Sequence, residues 1–313
     1  MNGMDIARTN ERLREKILRR TPGTGRLATA IDGFMTVRRN QDNEVVNLFD
    51  APLVGVTVQG FKDSVIGNRH YRYGEGNCLI TGIDVPSTSR ILSASPQKPF
   101  LAVALALDRE LIARLAGETT QLLGACSHNR AVAVTEVTPK VSDAFLRLID
   151  LLDEPEEIPV MAPLIIREIH HRLLLGPQGE WLRTVCTTGT RTNRIARAIT
   201  WLRENYKEPL HVDELAGMVN MATSTFHRHF RDVTDSSPLR FQKRLRLYEA
   251  RRLLLFDKHD VNNAAYAVGY ESSTQFIREY KREFGAPPRR DVARMRSRIV
   301  YETSQESAAV ASG

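Results

Sequence analysis

At 313 residues the chain exceeds the usual size of one domain, so two are expected, each burying its own core. The composition is that of a soluble globular protein, and no apolar run approaches the ~18 residues that a membrane-spanning helix needs. The formal net charge of +7 is unevenly placed: residues 1–190 carry 22 Lys and Arg against 22 Asp and Glu, whereas 191–313 carry 22 against 15. Such asymmetry points either to a polyanionic partner for the C-terminal part alone or to a solvated basic surface there.

The opening stretch MNGMDIARTNERLREKILRR is charged and amphipathic and lacks the apolar core of a signal peptide, so a cytoplasmic location is expected. From about 27 to 135 short apolar or alternating runs, such as LVGVTVQG (53–60), HYRY (70–73) and NCLITGIDV (77–85), are punctuated by Gly, Pro and Asn-rich turns and predict a small barrel or sandwich. Between 139 and 176 the period becomes helical. Val141, Phe145, Leu148 and Leu152 share one face, DEPEEIP breaks the chain, and Ile165, Ile169 and Leu173 mark a second helix, together an antiparallel pair. GPQGE (176–180) and TTGTRTN (187–193) read as loop and linker, with room for a helical turn at Trp181, Leu182 and Val185, and SQESAAVASG (304–313) reads as a frayed tail. Cys78, Cys126 and Cys186 form neither a CxxC pair nor a disulfide framework, so structural zinc is not expected.

The C-terminal part contains a degenerate repeat. Leu215, Ala216, Val219, Asn220 and Met221 match Ala264, Ala265, Val268, Gly269 and Tyr270 at an offset of 49. After one extra residue, Ser224, Phe226, Arg228, Phe230, Arg231 and Pro238 match Thr274, Phe276, Arg278, Tyr280, Lys281 and Pro288 at 50. Each copy fits a helix-turn-helix. Ala216 and Ala265 let a second helix cross closely, and Gly269 suits a left-handed turn position, where Asn220 is the best non-glycine substitute. At 100° per residue the following helix puts Phe226 and Phe230 on an inner face and Ser224, Arg228 and Arg231 on an outer one. The second copy does the same with Phe276 and Tyr280 inside and Thr274, Arg278 and Lys281 outside. An outer face of one hydroxyl and two cations suits a helix lying in the major groove of double-stranded DNA, because Arg can bond bidentately to guanine.

LAGMVNMATSTFHRHFRDVT (215–234), RLRLYEARRLLL (244–255) and AYAVGYESSTQFIREYKREFGAPPRRD (265–291) resemble the AraC/XylS family of transcription regulators. The segment from Pro52 to Asp108 is also similar to the cupin-type sensor of one AraC subgroup. The resemblance implies an α+β chain: a cupin-like effector-sensing domain over 20–185 (barrel about 27–135, helix pair about 139–176) and an all-α DNA-binding domain over 191–296. The latter has two helix-turn-helix units joined by a linker helix, about Pro238 to Phe256, with Phe241, Leu245 and Tyr248 on one face. By the family's motif the base-reading positions fall on Ser224, His227 and Arg228 in the first unit and on Thr274, Gln275 and Arg278 in the second. Arg231, Lys243, Lys281, Arg289 and Arg290 are candidate phosphate contacts. One departure is Ala222, which stands where the family commonly has a helix-capping Ser; Thr223 is the alternative cap, and the second helix has Ser272 and Ser273.

The family further implies an activator that works with RNA polymerase, answers an unknown small-molecule effector and forms a homodimer, with the helix pair either dimerising or buttressing the barrel. Arg72, Tyr73 and Cys78 are the candidate effector contacts, although a one-residue change of strand register reverses every side chain. Cys78 is either a sensor of oxidants or electrophiles or a buried inert thiol. The alternative is an enzyme, a cupin metal catalyst or a DNA-repair transferase fused to an AraC-type module. Against the first, only His70 and His128 occur between 27 and 135, and neither sits in an HxH motif; against the second, CLI, CSH and CTT do not provide a reactive cysteine setting. No cofactor is expected.

Overall fold

The computed structural model describes residues 3–42, 45–66, 69–118, 132–255, 257 and 259–295. Cys126, His128 and the tail from 304 lie outside the described residues. The chain divides into two compact units, residues 1–196 with 232–234, and 197–231 with 235–313. No helix among the described residues is long and apolar enough to cross a membrane.

The first unit opens with helix α1 (Gly3–Arg20), followed by β1 (Gly25–Ala28), β2 (Phe34–Arg39), β3 (Val45–Asp50), β4 (Leu53–Gln59), β5 (Phe61–Ile66), β6 (Arg69–Gly74), β7 (Asn77–Thr81), β8 (Val85–Leu92) and β9 (Phe100–Ala106). Helix α2 (Arg109–Glu118), β10 (Val132–Glu136), α3 (Pro139–Asp150), α4 (Ile158–Leu175) and α5 (Gly179–Cys186) complete it. The strands form two antiparallel sheets, β1-β2-β9-β4-β7-β10 and β3-β8-β5-β6.

Register decides which side chains enter the space between the sheets. Thr36, Val103, Val56 and Cys78 are successive cross-strand partners, so they share one face of the larger sheet. On that face Thr36 bonds to Thr21, just after α1, at 2.7 Å, and Phe34 meets Phe145 of α3 with ring centroids 6.2 Å apart. This face therefore looks toward the helices. The opposite face carries Val37, Phe100 and Ala102, which pack with Val46 and Ile91 of the smaller sheet.

Helix α3 forms because Thr138 accepts a capping bond from Val141, Pro139 opens the first turn, and Val141, Phe145 and Leu148 make a buried stripe. Leu152 is only half buried, since the chain has already turned into a 3-10 segment there. Ile165, Ile169 and Leu173 of α4 are buried as the periodicity requires. Two parts of the unit differ from the expected layout. Residues 179–186 form a full helix, with Trp181, Leu182 and Val185 buried. Helix α1, before residue 20, belongs to the same unit: Leu13 and Ile17 are fully buried, and Lys16 bridges Asp150 at 2.7 Å and Asp153 at 2.8 Å. Its charged outer face masks that apolar seam in the sequence.

Helix α6 (Arg191–Glu204) spans the division between the units. The chain continues with α7 (Val212–Met218), α8 (Thr223–Thr234, whose last three residues group with the first unit), α9 (Pro238–Leu255), α10 (Val261–Ala267), α11 (Ser273–Phe284) and a last helical segment over 288–295. Phe241, Leu245 and Tyr248 of α9 are buried. A core built from Leu247, Ala250, Leu254, Ala264, Val268, Phe276 and Tyr280 joins α9 to α10 and α11.

Candidate nucleic-acid interface

In the first helix-turn-helix, α7 ends in a turn at Asn220, whose φ of 53° is left-handed, and the N–H of Met221 closes it onto the carbonyl of Ala216 at 3.0 Å. Helix α8 begins after Ala222, which offers no side-chain cap; Thr223 donates its hydroxyl to Asp213 instead, at 2.7 Å. Phe226 and Phe230 are fully buried, 5.5 Å apart, and Phe230 meets Phe241 of α9 edge-on at 5.5 Å. Ser224, His227, Arg228 and Arg231 stand exposed on the other side of α8.

The second helix-turn-helix repeats the turn and the buried aromatic pair. The N–H of Tyr270 closes the turn onto Ala265 at 3.0 Å, and Gly269 takes the left-handed position with φ 86°. Glycine is required twice over here, because a Cβ would stand 2.2 Å from the carbonyl oxygen of Lys207. Helix α11 has the cap that α8 lacks, the Ser272 hydroxyl accepting from the Gln275 N–H at 3.4 Å. Phe276 and Tyr280 are buried, while Thr274, Gln275, Arg278 and Lys281 are exposed. Both helices close on a left-handed residue, Asp235 and Gly285, which are also 50 positions apart.

Charge is organised around the second recognition helix. Glu279 accepts from Lys243 at 2.7 Å, from the Tyr270 hydroxyl at 2.8 Å and from Gln275 at 3.3 Å. Lys243, one of the expected phosphate contacts, is held here in an intramolecular pair whose carboxylate is largely buried, while its own side chain stays partly exposed. Arg289 and Arg290 are exposed, and Arg290 shares a cleft of about 510 Å³ with Lys281 and Arg294. Behind the cleft, fully buried Asp291 takes two bonds from Arg251, at 2.8 and 3.1 Å, one from the Tyr280 hydroxyl at 2.9 Å and one from Arg294 at 3.0 Å. That set pins the last helical segment to α9 and α11.

Ile277 is an outer-face residue that sequence reasoning passed over. It is 37% exposed and occupies, at the repeat offset of 50, the place of His227. An apolar residue reads as core by default, and only the repeat offset would have placed it outside.

In the first unit the candidate effector contacts separate. Arg72 and Tyr73 are neighbours on β6, so they point to opposite faces; Arg72 is exposed and Tyr73 is buried. Tyr73 pairs across Lys62 with Ile91 of the inter-sheet cluster, which aims it inward, where its hydroxyl lies 3.2 Å from Ser64 and Ser64 lies 2.8 Å from Ser89. Cys78 faces the helical layer, and burial pushes its thiol up to about 12, so little reactive thiolate exists at neutral pH. Tyr73, Ser64 and Ser89 thus look into the space between the sheets, whereas Arg72 and Cys78 look away from it. His70 is exposed. Among the described residues no group of three or more His, Cys, Asp or Glu side chains is placed to hold a metal ion.

A sheet-rich unit is followed in the chain by a duplicated helix-turn-helix with a cationic outer face, the layout of a DNA-binding regulator. Residues 30–181 match the family model described as AraC-type transcriptional regulator N-terminus, and residues 215–294 match a helix-turn-helix domain model. The chain belongs to the AraC family of transcription regulators, with an N-terminal sensor domain of that family. It is 35% identical over 96 residues to the HTH-type transcriptional activator RhaS of Yersinia pestis, an alignment that covers 31% of this chain and 35% of that protein. The chain thus spans about a third of the length of the curated relatives it matches. In fold it is similar to ToxT of Vibrio cholerae with bound unsaturated fatty acid, with a TM-score of 0.58 at 8% identity over 85% of this chain and 97% of that one. A second ToxT structure gives 0.54 at 9% identity over 83% and 97%.

Proposed function

We propose that the protein is a ligand-responsive transcription activator that grips two successive major-groove segments of a promoter with α8 and α11. The duplicated outer face carries this reading: Ser224, Arg228 and Arg231 recur as Thr274, Arg278 and Lys281 above the same buried aromatic pair. Arg228 and Arg278 read bases, with His227 and Gln275 beside them, and Ile277 offers an apolar contact of the kind that suits a thymine methyl group. Arg231, Lys281, Arg289 and Arg290 neutralise phosphates, the cleft at Lys281 and Arg290 holding one of them. The effector is a small molecule held between the two sheets near Ser64, Tyr73 and Ser89. A cytoplasmic homodimer working with RNA polymerase completes the reading, with α4 as the self-association surface because it leaves Val160 and Leu164 exposed. Selection of duplexes from a random pool by the full-length protein, followed by hydroxyl-radical footprinting, tests it. The expected result is protection of two segments on one side of the helix, separated by about one turn of ~10 base pairs, with affinity falling steeply as salt rises. Protection of a single segment, or binding without sequence preference, refutes the two-helix grip.

A further inference from the structure

Helix α9 carries a junction that none of the outward recognition residues uses. The loop between α6 and α7 leaves three backbone carbonyls, of Tyr206, Lys207 and Glu208, outside any helical bonding pattern, and α9 collects them. Gln242 donates from Nε2 to Tyr206 at 3.2 Å and to Glu208 at 2.7 Å. One turn later Arg246 donates from Nε to Tyr206 at 2.6 Å and from Nη2 to Lys207 and Glu208 at 3.0 Å each. Its remaining arm, Nη1, donates to the carbonyl of Gly269 at 2.6 Å.

One guanidinium therefore ties the segment that leads into the first helix-turn-helix to the turn of the second. The two segments are also in direct contact there, since a Cβ on Gly269 would meet the Lys207 carbonyl. The ring of Tyr270 lies beneath the guanidinium at 5.9 Å. An Arg kept for DNA would hold its donors toward solvent; this one commits four bonds to backbone oxygens. A planar fork can satisfy carbonyls in several directions at once, which a lysine ammonium on a flexible stem cannot do.

We propose that Arg246 is a positioning residue that fixes the two recognition helices relative to each other and so sets the spacing between the two DNA segments that the protein accepts. The inference rests on the two-segment grip proposed above. Inserting one base pair between the segments moves the second by ~3.4 Å and rotates it by roughly a tenth of a turn. A fixed pair of helices cannot follow that displacement. A loosened pair follows it, but binds the native spacing less well because the second contact is no longer held in place.

The test uses the full-length protein and a duplex selected by it, together with versions carrying one base pair more or fewer between the footprinted segments. For the unaltered protein each change of spacing is expected to lower affinity by about tenfold or more. Arg246→Lys, which keeps the charge, is expected to lose about fivefold or more on the native duplex while its spacing penalty shrinks to about threefold or less. Gln242→Ala, which removes two bonds of the same junction, is expected to shift both values in the same direction by less, and serves alone if Arg246→Lys does not fold. Melting temperatures and binding to a duplex with only the first segment intact accompany each variant. A purely stabilising role lowers binding to every duplex by the same factor and leaves the spacing ratio unchanged, which overturns the proposal. If the unaltered protein is itself indifferent to spacing, the two-segment grip fails and the proposal falls with it.

Discussion

Replacing Gly269 by Ala is expected to unfold the second helix-turn-helix preferentially, for two reasons that add. A residue with a Cβ at φ 86° costs ~1–2 kcal/mol in the left-handed region. The new methyl group would also lie 2.2 Å from the Lys207 carbonyl oxygen, well inside van der Waals contact, and overpacking of this kind costs about 1–3 kcal/mol. The sum, ~2–5 kcal/mol, is a large share of the stability of an ordinary domain. Hydrogen–deuterium exchange of the full chain localises the effect, with faster exchange across α10 and α11 expected and α1 to α5 unchanged. Gly217→Ala is the matched control, because Gly217 lies inside α7 with nothing within 4 Å of the added carbon. Alanine there is expected to stabilise by about 0.5–1 kcal/mol. A Gly269→Ala protein that exchanges like the unaltered one would show that neither the left-handed φ nor the Lys207 contact constrains this position.

Three further outcomes follow from the same contacts. Asp291→Ala leaves Arg251 buried without its partner and is expected to cost about 3–5 kcal/mol in chemical unfolding of the second unit; a loss under ~1 kcal/mol contradicts the role given to that pair. Ala222→Ser supplies the missing cap of α8 and is expected to stabilise that helix by about 0.5–2 kcal/mol, read as slower amide exchange at residues 224–226; no change would mean the helix is held by packing alone. His170 is buried, with Nδ1 facing the Ile166 carbonyl at 2.7 Å and Nε2 accepting from the Asp108 N–H at 3.0 Å, and burial lowers its pKa. The unfolded chain therefore binds the proton more readily, so this contribution to stability is complete above the ordinary pKa of ~6.5 and is lost as pH falls from there through the depressed value. A melting temperature of the first unit that stays level from pH 7.5 to 5, or that falls equally in His170→Gln, contradicts this.

The second unit was largely legible in the sequence because its geometry is duplicated. Asn220 and Gly269 announce the same left-handed turn, and the pairs Phe226/Phe230 and Phe276/Tyr280 fix the inner faces independently. What the repeat does not carry was hidden. Lys243 looked like a free cation because its partner Glu279 is 36 residues away, and Arg246 was one arginine among many until the carbonyls it gathers were brought to it. The sensor was legible only as a class of fold. Alternating strands declared the sheets, but the face of each side chain depends on register, and the neighbours Arg72 and Tyr73 cannot both look inward on one strand. Helix α1 escaped because its buried residues, Leu13 and Ile17, are a thin seam within a strongly charged stretch.

In the proposed grip α8 and α11 each read bases through one arginine. The most direct measurement compares Arg228→Ala and Arg278→Ala with the unaltered protein in a selection that reports preference at every position of the bound duplex. Each variant is expected to lose ~1–3 kcal/mol and to relax preference at its own position, in one segment only, the two positions lying about one helical turn apart. Full sequence-specific binding by both variants, or uniform weakening without relaxed preference at any position, rules out base reading by these two arginines.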